Sequence, residues 1–150
     1  MQRNFKFKDT SVVHFGGQII DLHNAYDIEC IGTSAEGDTA TLTFRRNQYA
    51  INPKSLPERI SLRCTGNVKV AFNNLNHVVG PLNEEGIEVA YFDEHCDWDF
   101  FTDEATTETQ KPLGLHLEFM NDLVVRIYCE SVTFEPHSDE GSVPQDPRQP

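Results

Sequence analysis

Short runs of alternating apolar and polar residues dominate the chain. In the run at 39–45, Ala40, Leu42 and Phe44 share one face and three threonines share the other. A period of two is typical of a β-strand with one face against a core, and β-branched polar residues suit the other face. Similar apolar and alternating runs predict further strands at 28–32, 59–64, 68–72, 86–92, 113–120 and 123–134.

Turn signals separate these runs. The stretch TSAEGD at 33–38 has the length of a hairpin loop, and Asn121-Asp122 is a two-residue polar turn whose residues tolerate positive φ. No window of eleven or more residues shows the i, i+3, i+4, i+7 pattern of an amphipathic helix. About eight short strands in succession therefore predict an all-β fold, an antiparallel β-sandwich or barrel with few or no helices.

The 150 residues suit one domain, which we place at 1–135. Residues 136–150 hold four of the eight prolines and a single large aliphatic residue, Val143, so they are predicted to form a disordered tail. The four cysteines form no C-x-x-C pair, which favours reduced thiols and a cytoplasmic protein. No apolar run reaches the roughly 18 residues of a membrane span.

Negative charge is concentrated in the middle of the chain. The formal net charge is −12, and residues 70–110 contain ten Asp and Glu but no Lys or Arg. Residues 1–69 contain nine basic and seven acidic residues. Such a field repels phosphates, so nucleic acid and anionic membrane surfaces are disfavoured as partners. A basic protein is the natural complement.

The stretch DEHCDWDFFTDE at 93–104 lies at the centre of this acidic region. We interpret it as the candidate binding surface, in which carboxylates supply charge complementarity and one aromatic residue is a buried anchor. The predicted binding residues are Asp93, Asp97, Trp98, Asp99, Phe101 and Glu104. A solvated acidic edge with no partner is the alternative interpretation of the same residues.

A metal site in this stretch is not favoured. In one extended strand, His95 would point to one face and Cys96 to the other, so the two could not easily bind one ion. A hairpin is the other possibility, with a loop at 93–97 and 98–101 returning against the strand at 86–92. The pattern of an EF-hand also fails here, and we predict no metal and no cofactor.

The second candidate for chemistry is DLHNAYDIE at 21–29. His23 lies between Asp21 and Asp27, and a carboxylate that orients a histidine is the beginning of a general base. The alternative is a His-Asn turn whose side chains cap the entry into the strand at Ile28. Elsewhere, His116 and Arg126 fall on the polar faces of adjacent predicted strands, where we expect them on the sheet surface.

The segment Leu22-His23-Asn24-Ala25, followed by Ile28 and alternating strands, resembles the start of some small bacterial β-rich families. In those families an L-H-[DN]-A-x-x-[IV] segment leads into the sheet. Here Asn24 stands where Asp is commoner, and one extra residue precedes the aliphatic position. Several of these families are immunity proteins of polymorphic toxin systems. The resemblance implies a cytosolic protein that works by binding.

Three functions follow from the sequence. The first is a non-enzymatic protein-binding module, such as an immunity-type protein, that presents the acidic segment to a basic partner. The second is a small hydrolase or metal-dependent enzyme that uses His23 or His95 with nearby carboxylates. The third is a structural or accessory domain without a site of its own.

Overall fold

A computed structural model of the chain describes residues 1–9, 11–72, 86–93, 114–120 and 123–137. These ranges contain twelve strands, one four-residue α-helix and one 3-10 turn at Pro53–Ser55. In chain order the elements are β1 Gln2–Arg3, β2 Lys6–Asp9, β3 Val12–Phe15, β4 Gln18–Asp21, α1 Leu22–Ala25, β5 Tyr26–Thr33, β6 Thr39–Arg46, β7 Arg59–Thr65, β8 Lys69–Phe72, β9 Ile87–Asp93, β10 Gly114–Phe119, β11 Val124–Tyr128 and β12 Ser131–His137.

The strands form three sheets, and the predicted all-β class with few helices is confirmed. The five-stranded sheet has the order β1-β12-β7-β6-β5, the four-stranded sheet β8-β11-β10-β9, and the three-stranded sheet β2-β3-β4. Every described strand pair is antiparallel except β1 with β12. Within the described part of the chain, no helix is long and apolar enough to cross a bilayer.

Buried apolar side chains from all three sheets form one cluster. Val13 and Ile20 come from the three-stranded sheet, Leu62 from the five-stranded sheet, and Leu115 and Ile127 from the four-stranded sheet, and all are fully buried. Burial of an aliphatic side chain stabilises a fold by about 1.5–3 kcal/mol, so the alternating pattern supplies the main force that joins the sheets.

Four strands, β1 to β4, lie in the first 21 residues, where we predicted none. Each is at most four residues long, which gives little room for a visible alternation. The turn between β3 and β4 is Gly16-Gly17, with φ of +55° and +82°. Glycine adopts these angles without steric cost, so the pair was the available sequence signal for a hairpin.

The run at 123–134, predicted as one long strand, is two strands in different sheets. β11 ends at Tyr128 and β12 begins at Ser131. Between them, the N–H of Glu130 donates to the carbonyls of Thr65 and Gly66, at 3.0 Å each, which holds the chain in a bend. The buried positions also change from odd to even numbers here, so a break in the phase of the alternation marked the bend.

Two predicted loops are bounded by paired strands. The loop at 33–38 joins β5 to β6, and the N–H of Ser34 donates to Thr39 O at 2.9 Å, so this hairpin is confirmed. Asn121-Asp122 lies outside the described residues, between the paired strands β10 and β11. At the C-terminus, β12 continues through Pro136 and His137, two residues into the predicted tail, and 138–150 lies outside the described residues.

Candidate functional site

The acidic segment is connected to the sheet at both ends. Asp93 is the last residue of β9, and its backbone lies opposite Gly114, the first residue of β10. The connection 94–113 therefore leaves and rejoins adjacent strands at the same end of the four-stranded sheet. The other predicted binding residues and His95 lie outside the described residues; they are Asp97, Trp98, Asp99, Phe101 and Glu104.

The predicted return of 98–101 against the strand at 86–92 also lies outside the described residues. Among the described strands, β10 pairs with β9 in antiparallel register. Ile87 lies opposite Phe119 at one end of the pair, and Asp93 lies opposite Gly114 at the other. β9 is an edge strand of the four-stranded sheet in this part of the chain.

Charge is divided unevenly between the described β framework and the rest of the chain. The described residues contain ten Lys and Arg against twelve Asp and Glu, a net charge of −2. The remaining residues contain two basic and twelve acidic residues, a net charge of −10. The connection 94–113 alone has six acidic residues against Lys111. The framework is thus nearly balanced, and most of the negative charge belongs to residues outside the described ranges.

His23 lies in α1, and its predicted carboxylate partners are bonded elsewhere. Asp21 caps the helix, accepting from the backbone N–H of Asn24 at 3.2 Å and from its Nδ2 at 2.7 Å. Asp27 Oδ1 accepts from Asn47 Nδ2 at 3.4 Å. His23 Nδ1 lies 2.7 Å from Ile87 O, so Nδ1 carries the proton and donates to the carbonyl. This bond ties α1 to the start of β9.

His116 is buried, with 3% of its surface exposed, so the prediction that it lies on the sheet surface is wrong. Its Nε2 lies 2.8 Å from Glu118 Oε1, and Arg126 Nε donates to its Nδ1 at 3.2 Å. Both ring nitrogens therefore have hydrogen-bond partners, which removes the main cost of burying an imidazole. The strand register sets His116 directly opposite Arg126, and no local pattern in the sequence indicated this pairing.

A cavity of about 330 Å³ lies at the N-terminal corner of the framework, which the sequence analysis missed. Its lining includes Arg3, Asn4, Phe5, Lys6 and His14, with no acidic residue among those described. The sequence alone does not predict this cavity, because the β2–β3 pairing that brings His14 to Lys6 is not visible in local sequence.

Ring contacts fix this corner against the end of β9. Phe92 lies 5.5 Å from Phe5 and 5.2 Å from Phe7, measured between ring centroids. The guanidinium carbon of Arg3 lies 4.5 Å from the centre of the same Phe92 ring, a cation–π contact. The acidic connection, which starts after Asp93, therefore leaves the framework one residue beyond an aromatic contact with the basic corner.

Comparison of the chain with known protein families, with curated proteins and with solved structures returned no match in any of the three searches.

Proposed function

We propose that this protein is a non-enzymatic binding module that uses the acidic connection 94–113 to engage a basic protein partner. The observation that carries the proposal is the anchoring of this twenty-residue connection at Asp93 and Gly114, on adjacent paired strands. Connections of this length in a compact β domain are uncommon and often functional, and binding residues are commonly found on loops held by a rigid scaffold.

The charge distribution supports the same proposal. The described framework has a net charge of −2, so the six acidic residues of 94–113 dominate the local field. In this proposal Asp93, Asp97, Asp99 and Glu104 steer a basic partner to the surface. Trp98 or Phe101 supplies the apolar anchor, because interface energy is usually concentrated in a few aromatic or Arg side chains. A cytosolic immunity-type protein would act in this way.

A hydrolase that acts through His23 has less support. Such an enzyme was expected to orient the imidazole with Asp21 or Asp27, and these carboxylates accept hydrogen bonds from Asn24 and Asn47. The Nδ1 bond of His23 goes to a backbone carbonyl that joins α1 to β9, which is a structural contact.

The test is capture of basic proteins by the immobilised full chain at low and high salt, with two matched triple variants. The first, Asp97→Asn with Asp99→Asn and Glu104→Gln, removes three charges from the connection. The second, Glu36→Gln with Glu88→Gln and Glu130→Gln, removes three charges from exposed framework positions. We expect a specific basic protein to be captured at about 50 mM salt and largely released at about 500 mM, because salt screens exposed charges.

The variant with three substitutions in the connection should no longer capture this protein, whereas the variant with three substitutions in the framework should still capture it. Trp98→Ala and Phe101→Ala, made as separate variants, keep every charge. They test which of the two aromatic residues is the anchor. Equal loss in the two triple variants would show that net charge alone attracts the protein, and the proposed surface would then be wrong.

A further inference from the structure

The cavity at the N-terminal corner is unusual in this acidic chain because it is lined by cationic groups. Arg3 and Lys6 each contribute a positive charge, and His14 contributes an imidazole. No carboxylate from the described residues lines it. Its volume is about 330 Å³, and it is open to solvent.

Strand pairing places two of these groups side by side. Lys6 of β2 and His14 of β3 are directly opposite in the antiparallel register, so their side chains leave the same face of the small sheet. The segment before β2 is held by Asn4, whose Nδ2 donates to Phe134 O at 3.1 Å and whose Oδ1 accepts from Phe134 N at 2.8 Å. The backbone that presents Arg3 to the cavity is therefore fixed to β12.

Arg3 is oriented so that it can still bind an anion. Its guanidinium lies over the Phe92 ring, 4.5 Å from the ring centre, and this contact uses the π face of the ring. Guanidinium N–H groups point outward in their own plane, where they can form paired hydrogen bonds with an oxyanion. Contact with Phe92 reduces the freedom of the side chain without occupying all of these donors.

His14 supplies an unpaired polar atom. Its Nε2 is buried and has no hydrogen-bond partner among the described residues. A buried polar atom without a partner destabilises a fold, so native structures rarely retain one without a reason. Solvent does not reach this nitrogen, so His14 contributes the side of its ring to the cavity wall, where a bound anion would change the electrostatic environment of the imidazole.

We propose that this cavity binds the phosphate group of a small phosphate monoester. A terminal phosphate offers three oxygens to the several donors of the Arg3 guanidinium and the Lys6 ammonium, whereas a carboxylate offers two. The anion also neutralises the repulsion between the grouped cations. Phe5 lies beneath the cavity and is only 3% exposed, so the organic part of the ester extends from the open cavity towards solvent. This proposal does not rest on the proposed protein-binding function.

The test uses the full chain and three probes: phenyl phosphate, inorganic phosphate and benzoate. Calorimetry should show saturable binding of phenyl phosphate, about tenfold tighter than benzoate, which is the change expected when one charge-assisted hydrogen bond is lost. Inorganic phosphate should compete with phenyl phosphate. The ring resonances of His14, assigned with His14→Gln, should shift as phenyl phosphate is added.

Variants assign the binding to this cavity. Arg3→Gln and Lys6→Gln should each weaken phenyl phosphate binding by about tenfold. Lys54→Gln removes an exposed lysine from the 3-10 turn and should leave the affinity unchanged. Arg3 also contacts Phe92, so Arg3→Gln could lose stability, but Lys6 is exposed and Lys6→Gln should unfold at the wild-type temperature.

Three results would overturn the proposal: no saturable binding of phenyl phosphate, equal binding of benzoate, or the same loss in Lys54→Gln as in Lys6→Gln. Lys6→Gln should still capture the basic protein as the wild type does. This result would show that loss of phosphate binding is independent of the acidic connection.

Discussion

Arg126 donates a hydrogen bond from Nε to Nδ1 of His116, at 3.2 Å, across a directly opposed pair in β11 and β10. Because Nδ1 accepts this bond, the proton of the neutral imidazole is on Nε2, which donates to Glu118 Oε1 at 2.8 Å. The three side chains form a hydrogen-bonded series with His116 buried in the centre. The two neighbours therefore determine both the tautomer and the orientation of the ring.

We expect His116 to be the Nε2–H tautomer at neutral pH, and long-range ¹⁵N–¹H spectra would check this. His116→Ala should lower the free energy of unfolding by about 2 kcal/mol or more, because Arg126 loses a partner and a buried site is emptied. Glu118→Gln keeps an acceptor for Nε2 and should cost less than about 1 kcal/mol. A proton on Nδ1 would contradict the assigned hydrogen bonds.

Gly66→Ala should destabilise the protein. Gly66 has φ of +78°, and a Cβ there would lie 2.6 Å from Glu130 Oε2 and 2.9 Å from Glu130 Cβ. The first neighbour can move, but the second is next to the backbone. We expect a loss of about 1–3 kcal/mol in urea denaturation, from backbone strain and overlap together.

Gly32→Ala is the matched control for this prediction. Gly66 lies in the turn that follows β7, whereas Gly32 lies within β5, where a Cβ has no neighbour within 4 Å and φ is not positive. The free energy of unfolding should change by less than about 0.5 kcal/mol. Equal losses in the two variants would show that the Glu130 contact is not the cause.

Tyr26→Phe should reduce stability at neutral pH and lose its effect at high pH. The buried Tyr26 hydroxyl donates to Pro57 O at 2.8 Å, and removal of one such bond costs about 1 kcal/mol. Burial raises the pKa of Tyr26 to about 12, although the nearby Arg46 lowers it somewhat. The unfolded residue ionises near pH 10, so the contribution is complete below pH 10 and is lost as pH rises towards 12.

Denaturation of Tyr26→Phe and the wild type over this pH range checks the sign. The difference in unfolding free energy should shrink between pH 10 and 12. Tyr49→Phe is the control, because Tyr49 is 77% exposed and its substitution should have little effect at any of these values. If the difference in unfolding free energy stayed constant from pH 8 to 12, it would contradict a buried Tyr26 with a raised pKa.

Cys30 should react with a thiol reagent before Cys64 and Cys129. Cys30 is exposed, whereas Cys64 and Cys129 are buried. The hydrogen bond from the Cys64 thiol to Cys129, together with burial, raises the pKa of Cys64 and disfavours its reactive thiolate. In a Cys96→Ser background we expect one fast thiol and two slow thiols that react at the rate of unfolding.

Replacing Cys30 with Ser in the same background should abolish the fast phase. Denaturant should make all remaining thiols reactive together. Labelling of Cys64 at the rate of Cys30 in native protein would contradict the buried thiol pair.

The strands that the sequence predicted well are those with sustained alternation. β6 and β7 follow the runs at 39–45 and 59–64 to within one residue, because their inward residues, such as Leu42 and Leu62, recur every second position. β1 to β4 are too short for such a pattern. The sequence predicted one strand at 123–134, where the structure has β11 and β12. The alternation of buried positions changes phase over only three residues of an otherwise apolar run.

The sequence by itself determined the all-β class and the separation of charge, because alternation and composition are local properties of the chain. The tertiary structure decided which polar residues meet. His116 is buried only because β11 brings Arg126 to it, and the cationic cavity exists only because β2 and β3 pair Lys6 with His14. Cross-strand neighbours depend on register and on long-range contacts, which residues near in sequence do not specify.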